Sequence, residues 1–136
     1  MKRYGQQHCN LLNDSSATFD NRLAATYYDA EWIYYRVSDY TRDSTWINCA
    51  QAAERIYRDQ YVLPANGVVP GYWNFTHGLA EDFIRSGDDS SRRTELLLSK
   101  NAAFNPDSTP LAWTVDSTAS RAVSYTHLTL PTILRV

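Results

Sequence analysis

Two short polar stretches, Thr41-Arg42-Asp43 and Ser86-Gly87-Asp88, decide how this chain is read. They lie 45 positions apart, and each joins a segment ending in aromatic or aliphatic residues to a second segment of helical pattern. Asp43 or Ser44 can cap the helix that follows, because the first turn of a helix leaves backbone N–H groups without partners. Gly87 suits the left-handed position past a helix end, where a Cβ carries a steric cost. A polar turn between helices, repeated at a fixed interval, indicates tandem helical hairpins. One hairpin cannot bury both of its faces, so such units stack as a solenoid or close as a toroid.

Outward from the first turn, Leu23, Tyr27, Ala30, Tyr34 and Val37 recur at helical spacing, beside a second stripe through Ala24, Tyr28, Trp32 and Tyr35. With Asp20 or Asn21 as N-cap, this predicts one long, largely covered helix to about Asp39. The next helix carries Trp46, Ile47, Ala50, Ala53, Ile56 and Tyr57 on one face, with Glu54, Arg55, Arg58 and Asp59 mostly on the other. It should end near Tyr61, because Pro64 disfavours a helical residue before it. Asn66-Gly67 and Pro70-Gly71 mark turns in the loop that follows. Leu79, Ala80, Phe83 and Ile84 predict a short third helix, and Ser91 to Ala103 a fourth with Leu96, Leu97 and Ala103 inward. Pro106 and Pro110 break the chain, and Ser117 to Ala122 reads as the approach to a fifth helix. Residues 1–19 show no clear period and are expected to be an extended or poorly ordered lead-in. Nothing resembles strand alternation, so the fold class is all-α.

The balance of 13 Lys/Arg against 15 Asp/Glu gives a net charge of −2. The cations are scattered, which argues against a nucleic-acid partner. No apolar run reaches the roughly 18 residues of a membrane-spanning helix, so no membrane partner is expected. Cys9 and Cys49 provide neither metal-ligand spacing nor a disulfide framework, and Cys49 reads as a small buried hydrophobe. With no phosphate loop, nucleotide fingerprint, zinc motif or nucleophile elbow, no cofactor and no metal site are expected.

The segment from Tyr27-Tyr28-Asp29-Ala30 to Tyr40-Thr41-Arg42-Asp43, the aromatic loop and Ile84-Arg85-Ser86-Gly87-Asp88-Asp89-Ser90 resemble the six-hairpin glycosidase-like (α/α) toroids of glycoside hydrolases and polysaccharide lyases. The resemblance covers residues 20–122, roughly two of the six hairpins of such a toroid, and is one of architecture. It implies a partial (α/α) toroid from a carbohydrate-active protein, with loops at one rim forming a sugar cleft and carboxylates as acid and base. On this reading the piece by itself is inactive. The alternative is a non-catalytic helical-repeat module for binding or scaffolding. A second resemblance concerns Val123 to Thr132, which matches a translated transposase mosaic-end sequencing adaptor residue for residue. Residues 123–136 are therefore expected to be an adaptor-derived tail with no part in the fold.

Candidate chemistry gathers in the loop from Pro70 to His77. Tyr72, Trp73 and Phe75 offer ring faces for sugar C–H groups, and Asn74 and His77 offer hydrogen bonds to hydroxyls. The competing reading has Trp73 and Phe75 packed as core and His77 simply starting a helix. Glycoside cleavage needs two opposed carboxyl groups. Asp29 and Glu31 lie about 200° apart on a helix and so share no face, whereas Glu81 and Asp82 read as a solvated face. Asp29, among Tyr27, Tyr28 and Trp32, must either pair with a base, such as Arg36 on the same face, or be functional. The catalytic candidates are Asp29 and His77; the substrate-binding candidates are Tyr72, Trp73, Asn74 and His77.

Overall fold

The computed structural model describes residues 2–102, which form helices α1 (Lys2–Leu12), α2 (Phe19–Ala24), α3 (Ala30–Thr41), α4 (Thr45–Glu54), α5 (His77–Ser86) and α6 (Asp89–Asn101). A π-helical stretch, Arg55–Val62, continues α4, and one 3₁₀ turn spans Gly71–Trp73. No strand occurs among the described residues. The expected fifth helix and the adaptor-like tail lie outside them.

The 45-residue interval is a repeat of hydrogen bonds as well as of residue types. Thr41 Oγ1 donates to the Val37 carbonyl and Ser86 Oγ to the Asp82 carbonyl, both at 2.7 Å. The same hydroxyls accept from the backbone N–H groups of Asp43 and Asp88, at 3.3 and 3.1 Å. Asp43 in turn accepts from Thr45 N–H (3.0 Å), and Asp88 from Ser90 N–H (2.9 Å). Arg42 and Gly87 take the left-handed conformation within these turns, with φ of 57° and 74°. The same chemistry therefore closes α3 onto α4 and α5 onto α6.

The two hairpins meet through α3 and α5. Asp29 reaches Gly78, Tyr35 reaches Asp82, Arg36 reaches Glu81 and Asp39 reaches Arg85. Partners advance together along both helices, so α3 and α5 run side by side in the same direction. Ala50, Ala52 and Ala53 are fully buried on α4, and their small side chains let α3 approach closely. One apolar cluster joins Leu12, Leu23, Tyr34, Tyr35, Trp46 and Ile56; a second joins Tyr57, Val62, Val69, Leu79 and Leu98.

The structure corrects several expectations. The lead-in is helical: α1 packs on α4, with Gly5 against the Trp46 ring and its carbonyl accepting from Tyr34 Oη at 3.0 Å. Cys9 and Cys49 form a disulfide that pins α1 to α4 across 40 residues of sequence. Two cysteines far apart in sequence carry no signature of pairing, because only the packing of α1 brings their Cα atoms to 5.2 Å. The long first helix is broken between α2 and α3, where Tyr28 and Asp29 both have positive φ. The inward face of α6 is Ser91, Thr94 and Leu98, while Leu96 is half exposed; on α5, Gly78, Leu79 and Asp82 point inward and Phe83 and Ile84 outward. Ala103 lies outside the described residues.

Closing a loop of this length restricts the unfolded chain, so Cys9→Ser should cost about 2–4 kcal/mol. Urea unfolding midpoints of the native and variant chains check this. A thiol titration of the native chain should find no free cysteine.

Candidate functional site

The break before α3 sets the position of one carboxylate. Thr26 is buried and returns its hydroxyl to the Leu23 carbonyl (2.7 Å), ending α2. The two left-handed residues then turn the Asp29 side chain toward α5, where both its oxygens accept from Gly78 N–H, at 3.1 and 3.2 Å. An anion at a helix N-terminus meets unpaired N–H groups and the positive end of the helix dipole. Burial pushes the Asp29 carboxyl above its ordinary range, and the Gly78 N–H works against that. Arg36, the expected partner, instead pairs with Glu81 and Asp39. His77 stands at the same corner, with Nδ1 3.8 Å from Asp29 Oδ2 and its ring 5.6 Å from that of Trp32; its side chain is 70% exposed. No side chain fits at residue 78: a Cβ there would lie 2.6 Å from Asp29 Oδ1 and 2.8 Å from Glu31 Cβ.

The aromatic loop leads into the same corner. Tyr57 Oη donates to the Trp73 carbonyl and accepts from Phe75 N–H (2.8 Å), which fixes the loop on the π-helical stretch. Trp73 packs edge-on against Tyr27 and Tyr61, with centroids 4.9 and 5.4 Å apart, and Phe75 packs against Tyr27 and Tyr57. Trp73 and Phe75 are thus partly buried in packing, Asn74 is partly buried, and Tyr72 is half exposed. Phe75 shares a small cleft of about 10 Å³ with Thr26, Asp29, Ala30, Glu31, Ala53 and Tyr57. A single water needs about 10–15 Å³ on this measure, so this cleft has room for about one water, not a sugar ring.

Behind the cleft lies a group of buried acids. Glu31 on α3, Glu54 on α4 and Asp82 on α5 each bring a carboxylate oxygen within 4.8 Å of the others. Arg58 is buried beside them. Its guanidinium donates to Asp88 Oδ2 (2.9 Å), Ser91 Oγ (2.8 Å) and Asp59 Oδ1 (2.7 Å), and passes Glu54 Oε2 at 3.3 Å and Asp82 Oδ2 at 3.7 Å. Asp82 accepts from Tyr35 Oη (2.9 Å) and Ser91 Oγ (2.6 Å). Glu31 Oε2 and Glu54 Oε2 are buried and accept no hydrogen bond. Burial, then the Asp82 carboxyl beside it, pushes Glu54 up to about 8. Burial, then the charges of Glu54, Asp82 and Asp29, holds Glu31 well above its ordinary value. Burial, with Asp82 next, also raises the Tyr35 phenol.

The expected solvated face at Glu81 and Asp82 is therefore corrected: Asp82 is buried, and Glu81 is half-buried against Arg36 and Arg85. Glu54 and Arg58 are likewise inside, not on an outer face. One signal in the repeat points to Asp82. Shifted by 45, Asp82 falls on Val37, an aliphatic position packed against the first cluster. Asp29 and Phe75 line the cleft and His77 stands beside Asp29, whereas Tyr72, Trp73, Asn74 and His77 are not part of the cleft lining.

Fold and site together define an all-helical hairpin protein with a buried carboxylate group beside an aromatic loop. No protein-family model matches the chain, and neither the curated proteins nor the solved structures contain a significant match.

Two outcomes are expected. Gly78→Ala should destabilise the chain by about 1–3 kcal/mol, as overpacking does, read from chemical denaturation. For pH, folded Glu54 and Glu31 hold protons that the unfolded chain, at an ordinary 4.5, has released. Stability should therefore fall as pH rises from 4.5 through about 8. Asp39, Asp43 and Asp88 are held below 3.8, so their contributions are already complete in that window. Melting temperatures taken between about pH 5 and 8 with chelator present should decline, and Glu54→Gln should flatten the decline.

Proposed function

We propose that the chain is part of a carbohydrate-active protein built as an (α/α) toroid, of the glycoside hydrolase or polysaccharide lyase type. The observation that carries this is the meeting of Asp29 and Glu31 with Phe75 on one small cleft, with His77 3.8 Å from Asp29. Cleavage of a glycosidic bond uses a carboxylic acid kept protonated near neutral pH and a second carboxylate. Asp29 is the group we assign to proton transfer, with His77 beside it. Tyr72, Trp73 and Asn74 are assigned to the sugar, Tyr72 offering its exposed ring as a stacking face. The duplicated turn chemistry supports a tandem-hairpin architecture, and further hairpins would supply the opposite wall of a cleft too small here for a sugar.

A second reading, a non-catalytic helical-repeat module, is favoured by Tyr40, Ile84 and Tyr28, which are 91, 76 and 75% exposed. Affinity electrophoresis of the chain through gels containing soluble polysaccharides separates the two. The sugar reading expects retardation by at least one polysaccharide, relieved by Tyr72→Ala, without release of reducing ends or unsaturated products. Migration unchanged in every gel would sink it in favour of the module.

A further inference from the structure

We infer that Glu31, Glu54 and Asp82 form a binding site for a hard divalent cation of the calcium type. The proposal stands apart from the carbohydrate reading and does not rest on it. The three side chains come from three helices, and a carboxylate oxygen of each lies within 4.8 Å of the other two. Oxygens on opposite sides of one calcium ion, with bonds of about 2.4 Å, are separated by about 4.8 Å. One ion can therefore span the group, and carboxylate oxygens are the ligands that calcium prefers.

Acidic residues often cluster without binding anything, and a second observation distinguishes this group. Glu31 is 4% exposed, and its Oε2 is fully buried with no donor. A buried carboxylate oxygen without a partner costs more than a neutral acceptor left unmade. The nearby cation does not supply the missing contact. The close bonds of Arg58 go to Asp88, Ser91 and Asp59, it approaches Glu54 and Asp82 only at 3.3 and 3.7 Å, and it forms no ion pair with Glu31. Asp29 adds a further carboxylate near Glu31. One guanidinium thus faces more acid than it neutralises. A divalent ion would give Glu31 Oε2 the partner it lacks, add to the 3.3 Å ion pair that Arg58 makes with Glu54 Oε2, and tie α3, α4 and α5 at a single point.

The test uses the full chain, treated with chelator and then titrated with calcium chloride at about pH 7.5, where the ion must displace the protons that the buried acids hold when empty. Binding to the folded state alone should raise the melting temperature by on the order of 10 °C at roughly a hundredfold excess over Kd. Terbium, a luminescent stand-in for calcium, should show emission sensitised by the neighbouring Tyr35 and be displaced by calcium. Glu31→Gln and Glu54→Gln each replace an acid whose ionisation burial opposes with a neutral side chain of the same shape, so they should fold without metal at least as well as the native chain. Both should weaken binding at least tenfold, while Asp89→Asn, on an exposed acid of α6, should leave it unchanged. The proposal is overturned if millimolar calcium shifts neither signal in the native chain. It is equally overturned if the response survives in the Glu31→Gln, Glu54→Gln double variant, since the ion then binds elsewhere.

Discussion

Arg58 sits where the continuation of α4 meets the second hairpin, and its guanidinium is the contact on which the docking of the two hairpins turns. Taking a guanidinium out of water costs several kcal/mol, recovered only where hydrogen bonds are well placed. Here they come from Asp88, at the turn between α5 and α6, and from Ser91 on α6, which passes the contact on to Asp82 and Tyr35. The chain of bonds therefore runs from α6 through α5 to α3. Apolar packing lies on both sides of it, with Tyr61 and Trp73 touching both clusters. Packing alone tolerates sliding of one helix on another. A buried charge with fixed partners does not, because moving it strands the charge at a cost of roughly 3–5 kcal/mol.

The corner at Asp29 is held differently. Two consecutive non-glycine residues in the left-handed region cost about 1–3 kcal/mol each, and a helix-capping carboxylate returns only about 0.5–2 kcal/mol. The cap by itself does not offset the strain. The remainder comes from packing that needs the same bend: Tyr27 against Trp73 and Phe75, and buried Thr26 ending α2. A strained backbone at the mouth of the cleft, near groups with perturbed protonation, is the kind of arrangement that functional sites keep. The π-helical turns that carry Tyr57 and Arg58 belong to the same pattern, since such turns recur at functional positions.

What is legible along the chain follows from the range of each interaction. The turns at Thr41-Arg42-Asp43 and Ser86-Gly87-Asp88 can be read because every contact that makes them lies within four residues. The buried face of α4 is legible from its period. The break at Tyr28 is not, because no Gly or Pro marks it and its cause, the N-terminus of α5, lies about 50 positions downstream. Glu54 and Arg58 read as an outer face because pattern reading assigns charge to solvent. Asp82 is misread for the same reason, although the repeat sets it on an aliphatic position.

The all-α class, the two hairpins with their shared turn chemistry, and the aromatic loop between them are all set by the linear order of residues. They rest on periodicity and local hydrogen bonds, which any segment carries with it. Helix docking alone brings Cys9 to Cys49, makes Asp29 cap a helix in the other hairpin, and puts Glu31, Glu54 and Asp82 in one buried space. Each of those contacts joins residues 23 to 51 positions apart. Such meetings depend on how helices pack against one another, and that is fixed by the whole buried surface, not by any stretch read alone.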